Sequence, residues 1–202
     1  MRTYIQPLKN VRFIFCGSQK HIMTDMFVNE KNSFYESTHI VHLDRIKREL
    51  YGEFIKKLFD MGNRRIDDES VDYILEWTRC HTFYVQYLCH RLYRNCKKNV
   101  FLEDVRYACA EILDEGVNGF LERRNLLTDK QWRFLKAVAK EDSVSQPTSG
   151  DFVNKYKLGT GAAVKRVLES LLEKELLLET LTLDGKSYCV YNVFLSRWLE
   201  SK

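Results

Sequence analysis

The chain has 202 residues, 45% of them hydrophobic and 30% charged, with two prolines and nine glycines, a composition that excludes disorder and collagen-like architecture and suits one or two small globular domains. No apolar run approaches the roughly 18 residues of a membrane span and the polar stretch from Met1 to Asn10 lacks a signal-peptide pattern, so a cytoplasmic protein with no membrane partner is expected. The net charge of +4 is spread evenly, with 20 basic and 18 acidic side chains in residues 1–127 and 12 and 10 in residues 128–202, which argues against a dedicated nucleic-acid binder.

In chain order, the first element is the apolar run Val11 to Cys16, ending at Gly17-Ser18, whose continuous hydrophobicity predicts a buried parallel strand. Ile40 to Leu43 is a second candidate strand, and two short strands cannot form a stable two-faced sheet on their own. The pattern then turns helical. Leu43, Ile46, Leu50, Phe54 and Leu58 recur at three and four residues up to a stop at Gly62. Further helices are predicted from Asp67 to about Arg79, from His81 to about Cys96, and from near Glu103 through Val105, Cys109, Ile112, Val117, Phe120 and Leu121.

From Thr128 the punctuation sharpens. Thr128-x-x-Gln131 is a capping box for a helix bearing Trp132, Leu135, Val138 and Ala139, and Pro147 interrupts the chain after it. Thr148 is read as the cap of a helix from Asp151 to Tyr156, and Gly159-Thr160-Gly161 turns into a helix bearing Val164, Val167, Leu168, Leu171 and Leu172. Alternating residues from Leu176 to Leu183 and from Ser187 to Val193, joined at Asp184-Gly185, predict a hairpin. Three helices and a hairpin are the order of a winged helix-turn-helix. The fold expected is mainly α with minor β, divided as residues 1–42 (remnant of a parallel α/β core), 43–126 (helical bundle) and 127–202 (winged helix).

Self-contained catalytic chemistry is not found. Gly185-Lys186-Ser187 has the letters of a phosphate loop, but Thr180 stands where the first glycine belongs and a hairpin, not a helix, surrounds it. Leu113-Asp114-Glu115 and Leu178-Glu179 imitate a magnesium-holding acidic strand end from a helix and from the wing. The five histidines have no triad or zinc spacing, and the six cysteines form no Cys-x-x-Cys pair, so buried free thiols are expected, with no metal.

The stretch from Phe13 to Phe27, with its Gly-Ser-x-x-His-x-Met-x-x-Met-Phe string, together with Phe34-Tyr35, Cys80-His81-Thr82-Phe83-Tyr84-Val85-Gln86 and the C-terminal winged helix, resembles the latter portion of archaeal-type AAA+ ATPases of the STAND group. The resemblance implies a P-loop core with ATP and magnesium in an intact relative, and a phosphate loop and acidic strand N-terminal to Val11. Residues 1–202 would then be a part not catalytic alone, with the missing core or another protein as partner and a tendency to self-associate through an exposed sheet edge in residues 1–42. Within it, Ser18 matches the sensor-1 position, which reaches toward the γ-phosphate, with strand and helix capping as its other role. His81 and Thr82 match the lid motif beside the adenine, where relatives have Gly-His-Pro and this chain has Cys80 and Thr82 in place of the glycine and proline; a helix-start role is the alternative.

For the winged helix, a DNA-binding role as a stand-alone transcription regulator would use Lys165 and Arg166 on its third helix and Lys186 on the wing. Three basic residues on that helix segment (Lys165, Arg166, Lys174) meet three acidic ones (Glu169, Glu173, Glu175), which favours a protein-contact or regulatory role.

Overall fold

A computed structural model describes residues 8, 10–17, 20–32, 34–35, 37–41, 45–95, 98–182 and 185–202. The chain is mainly helical with two small sheets, and it divides into two compact units, residues 1–44 and residues 45–202. In the first unit, helix α1 (Lys20–Val28) covers a cluster in which the Phe15, Phe27 and Phe34 rings lie 5.3 to 5.9 Å apart. The Asp25 carboxylate accepts from the Asn29 side chain at 2.7 Å and from that of Asn32 at 3.0 Å, which closes the end of α1 and lowers the carboxyl pKa. Val11 to Gly17 form no strand, contrary to the sequence pattern. A strand exists through its ladder partner, and among the described residues of this unit no second strand pairs with it. Ile40 and Val41 are also irregular, while His42, Leu43 and Ser18 lie outside the described residues. The expected parallel-sheet remnant therefore has no ladder among the described residues of this unit.

The second unit opens with a bundle of α2 (Arg48–Met61), α3 (Asp68–Trp77), α4 (Thr82–Asn95) and the 24-residue α5 (Leu102–Asn125). Asp67 caps α3 by accepting from the Ser70 N–H at 2.7 Å, and Asp104 accepts from the Phe101 N–H at 3.0 Å to start α5. Between the helices, β1 (Arg65–Ile66) and β2 (Asn99–Val100) form a two-residue parallel pair, too short to register as a sequence pattern. Arg91 of α4 spans to Glu115 of α5 at 2.9 Å, which raises the guanidinium pKa and lowers that of the carboxyl.

The bundle core also corrects the face assigned to α2. Tyr51, Gly52, Ile55 and Phe59 point inward, whereas Leu50 (59% exposed), Phe54 and Leu58 of the predicted stripe face solvent. The two stripes are one residue apart and equally periodic. Gly52 decides between them, because a Cβ there would stand 3.3 Å from Val71, so the absent side chain lets α3 approach closely.

The C-terminal elements are α6 (Asp129–Lys140), α7 (Gly150–Lys155), α8 (Gly161–Glu173), the antiparallel β3 (Leu177–Thr182) and β4 (Gly185–Val190), and α9 (Val193–Glu200). The Thr128–Gln131 capping box forms as predicted, and Thr160 caps α8 through the Ala163 N–H. Ser149, not Thr148, caps α7, accepting from Phe152 N–H at 3.4 Å. Gly185 at φ 117° opens β4 opposite Thr182, so it belongs to the ladder rather than to the turn. The helix α9 was not anticipated by the hairpin reading; Asn192 caps it by accepting from Leu195 N–H at 2.9 Å.

Ile55→Ala is expected to cost about 2–5 kcal/mol through the cavity it leaves, whereas Leu58→Ala, on the neighbouring stripe, changes stability by about 0.5 kcal/mol or less. Urea denaturation of the two variants tests the orientation of α2; equal losses would refute it.

Candidate functional site

The sequence-derived lid residues lie on the turn between α3 and α4. Thr78 ends α3, its hydroxyl donating to Ile74 O at 2.6 Å, and the next two residues, Arg79 (φ 53°) and Cys80 (φ 52°), are both left-handed. That conformation costs a non-glycine residue energy, and tertiary contacts hold it. The Cys80 N–H reaches back to Leu75 O at 2.8 Å, the His81 N–H to Thr78 O at 3.0 Å, and Arg45 donates to Arg79 O at 2.7 Å. His81 then stands as the N-cap of α4, accepting from Val85 N–H at 3.0 Å, and Thr82 is its first residue. The structure thus brings His81 and Thr82 together on one helix start.

The His81 ring meets Tyr84 edge-on at 4.8 Å, and its Nδ1 is buried without a hydrogen-bond partner among the described residues. Burial and then the Arg45 charge push its pKa below the ordinary 6.5, so the imidazole is neutral at pH 7. Above pH 6.5 both folded and unfolded chains hold it neutral; below, the unfolded chain takes up a proton that the folded one resists.

The same turn is locked to the C-terminal elements. Arg79, whose side chain is 8% exposed, donates through Nη2 to Ser196 Oγ at 2.8 Å, lies 3.4 Å from Glu200 and pairs with Asp142. The other oxygen of Glu200 accepts from Arg197 at 2.9 Å, and Arg197 also donates to Trp77 O at 2.9 Å and Glu76 O at 3.0 Å. Arg197 therefore satisfies Trp77 O at the end of α3 and shares Glu76 O with the Arg79 N–H. Beside this clasp, Phe194 packs its ring 4.6 Å from Tyr84, 5.4 Å from Tyr87 and 5.5 Å from Trp77. Tyr84 is hydrogen-bonded to the Val193 backbone and its hydroxyl pKa is raised, chiefly by burial. Sequence reasoning missed Arg79, Phe194, Ser196, Arg197 and Glu200 as junction residues. The usable signal was the Val193, Leu195, Leu199 spacing after Asn192.

The residues of the DNA-binding reading are only partly assembled. Lys165 and Arg166 lie exposed on α8, with Glu169 and Glu173 also exposed on it. Lys186 is held by Glu179 at 3.0 Å across the hairpin, which raises the lysine pKa. Lys186 is also the lysine of the Gly-Lys-Ser imitation, and it lies within β4 with its charge neutralised, a poor phosphate cradle.

The cysteines Cys16, Cys80, Cys89, Cys109 and Cys189 are free thiols, and burial pushes Cys89 and Cys109 up to about 12. Among the described residues no three His, Cys, Asp or Glu side chains come together as a metal site, and no helix is long and apolar enough to cross a membrane.

Residues 118–201 match the family model of a probable winged helix domain. The C-terminal part of the chain is a winged helix. The matched span begins inside α5 and takes in α9, so the domain contains the clasp's Ser196, Arg197 and Glu200. No curated protein matches the chain.

Lowering the pH from 8 to 5 is expected to destabilise the wild type more than His81→Gln, with the difference appearing only below about pH 6.5; parallel pH profiles in urea denaturation would refute a half-buried imidazole held neutral. In a double-mutant cycle, Arg79→Ala and Glu200→Ala should couple by about 0.5–3 kcal/mol, and additive losses would show that the Arg79–Glu200 pair carries no energy.

Proposed function

We propose that residues 45–202 are the lid and winged-helix part of an ATP-dependent AAA+ switch protein of the STAND group, in which the clasp ties the lid turn to the winged helix. The observation that carries this reading is the backbone of residues 80–82. Cys80 adopts the left-handed conformation that glycine takes most readily, and Thr82 occupies the first helical position that proline favours. These are the two positions at which this chain departs from the Gly-His-Pro of the resembling family, and the backbone at both is of the kind that glycine and proline favour.

The residues fit one side of a nucleotide only. His81 offers an uncharged ring with a buried, unpartnered Nδ1 at a helix start, a group able to border a base. For phosphates and magnesium the described residues offer no cradle, because the chain's Gly-Lys-Ser lysine is paired within the wing; Ser18 lies outside the described residues. ATP chemistry therefore belongs to a P-loop core acting as partner, and what this chain supplies is coupling. A shift of the 79–82 turn pulls on Asp142 and Glu200 through Arg79, and so moves the winged helix with it.

A second reading, a winged-helix DNA-binding regulator, is favoured by the exposed Lys165 and Arg166, for which no ion pair is found among the described residues. The two readings separate by experiment. Calorimetric titration of these 202 residues with ATP and magnesium should show no binding at micromolar concentrations, and micromolar magnesium-dependent binding would overturn the proposed division of labour. Sequence-selective binding to duplex DNA that is lost in Lys165→Glu/Arg166→Glu would favour the regulator instead.

A further inference from the structure

Charge on the winged helix is distributed unlike what its third helix suggests. α8 carries two basic residues, Lys165 and Arg166, and two acidic ones, Glu169 and Glu173. α6 carries Lys130, Arg133, Lys136 and Lys140 against Asp129 alone. Arg133, Lys136 and Lys140 recur at three and four residues, which places them on one helical face. That face lines a cleft of about 320 Å³, bordered also by Arg124, Trp132 and Tyr156.

The commitments of these cations leave the cleft positive. Arg124 is spent on Asp129, an ion pair that cancels the one carboxylate in the lining, and its guanidinium lies 5.6 Å from the centre of the Trp132 ring. Arg133 gives one nitrogen to Lys157 O at 3.5 Å and Lys136 one hydrogen to Lys202 O at 3.1 Å, leaving further donors on both. Lys140 has no ion-pair partner among the described residues. Arg133 and Lys140, which have no carboxylate partner among the described residues, and Lys136, held at Lys202 O, therefore share one concave surface with two aromatic rings.

We infer that this cleft on α6, and not α8, is the nucleic-acid contact of the winged helix, and that its ligand is a single strand. Phosphates suit the cations, and a base can stack on the solvent-facing parts of Trp132 and Tyr156, which otherwise pack on the winged-helix core and meet Arg124 and Lys155, the Tyr156 hydroxyl donating to Glu141; cations beside aromatic rings are the combination by which single strands are held without sequence preference. A duplex is read by a convex element entering its groove, which a cleft is not. An acidic peptide would use the cations but leave the rings without flat partners. The inference is independent of the ATP reading: failure here would leave the lid and clasp as proposed.

The test is fluorescence anisotropy of the full chain with labelled 12-nucleotide oligothymidylate and oligouridylate, compared with a 12-base-pair duplex and a 12-residue glutamate peptide. The single strands should bind most tightly. With three phosphate contacts, affinity should fall roughly twentyfold between 50 and 200 mM salt. Arg133→Glu/Lys140→Glu should weaken binding about tenfold or more, while Lys165→Glu/Arg166→Glu stays within about twofold. If the first variant melts early, Lys136→Gln/Lys140→Gln replaces it, with about a threefold loss expected. No binding at 50 mM salt, tighter binding of the duplex or the glutamate peptide, or loss caused by the α8 variant rather than the α6 variant would each overturn the inference.

Discussion

The organisation of residues 45–202 depends on a buried guanidinium. A charged side chain taken from water costs several kcal/mol unless it is paired, and removing one partner of a buried pair is more damaging than never having had it. Arg79 is sequestered with its bonds concentrated on Nη2, and its Nε and Nη1 lack partners among the described residues. Such a group is a poor source of stability and a strong source of orientation. α9 brings Glu200 to it and the loop after α6 brings Asp142, so the end of α3 is tied to the winged helix at two points. The left-handed pair Arg79–Cys80 aims the side chain there, and the contacts of Phe194 with both cores supply the apolar burial that the ion pairs do not.

Electrostatics on the winged helix follows a different logic. Its sum of charges is nearly balanced, yet the balance is achieved between faces rather than within each. The wing neutralises Lys186 with Glu179, and Glu141 at the end of α6 neutralises Lys155 of α7, while Arg133 and Lys140 of α6 have no carboxylate partner among the described residues. Exposed pairs of this kind contribute little to stability. Their consequence is to remove positive potential from some surfaces and leave it on another.

How much of this was legible in the sequence varied with the range of the interaction. The capping box at Thr128, the cap at Thr160 and the hairpin are decided by neighbours within four residues, and the chain spells them out. The face of α2 was not legible because its two apolar stripes are adjacent, and the choice belongs to Gly52 and to a helix twenty residues away. Val11 to Cys16 has strand composition without a ladder, and composition cannot supply a partner. α9 was hidden because Val193 continues the apolar β-rich run of the hairpin, and only the Asn192 cap separates the two. Of the site, His81 and Thr82 were found by motif, whereas Arg79, Phe194 and Glu200 meet across more than one hundred residues of chain, where no spacing rule reaches.

The helix α5 carries a further consequence. At 24 residues it is about 36 Å long, and its first half lines the bundle core while Phe120 joins the winged-helix core. Gly116 lets it do both: a Cβ there would stand 2.6 Å from the Phe120 ring, which folds back over the bare turn. One uninterrupted rod shared by two cores leaves no hinge along its length, so the two halves are mechanically in series. Heat or denaturant should melt them as one cooperative body, with the interior amides of α5 sharing one opening free energy.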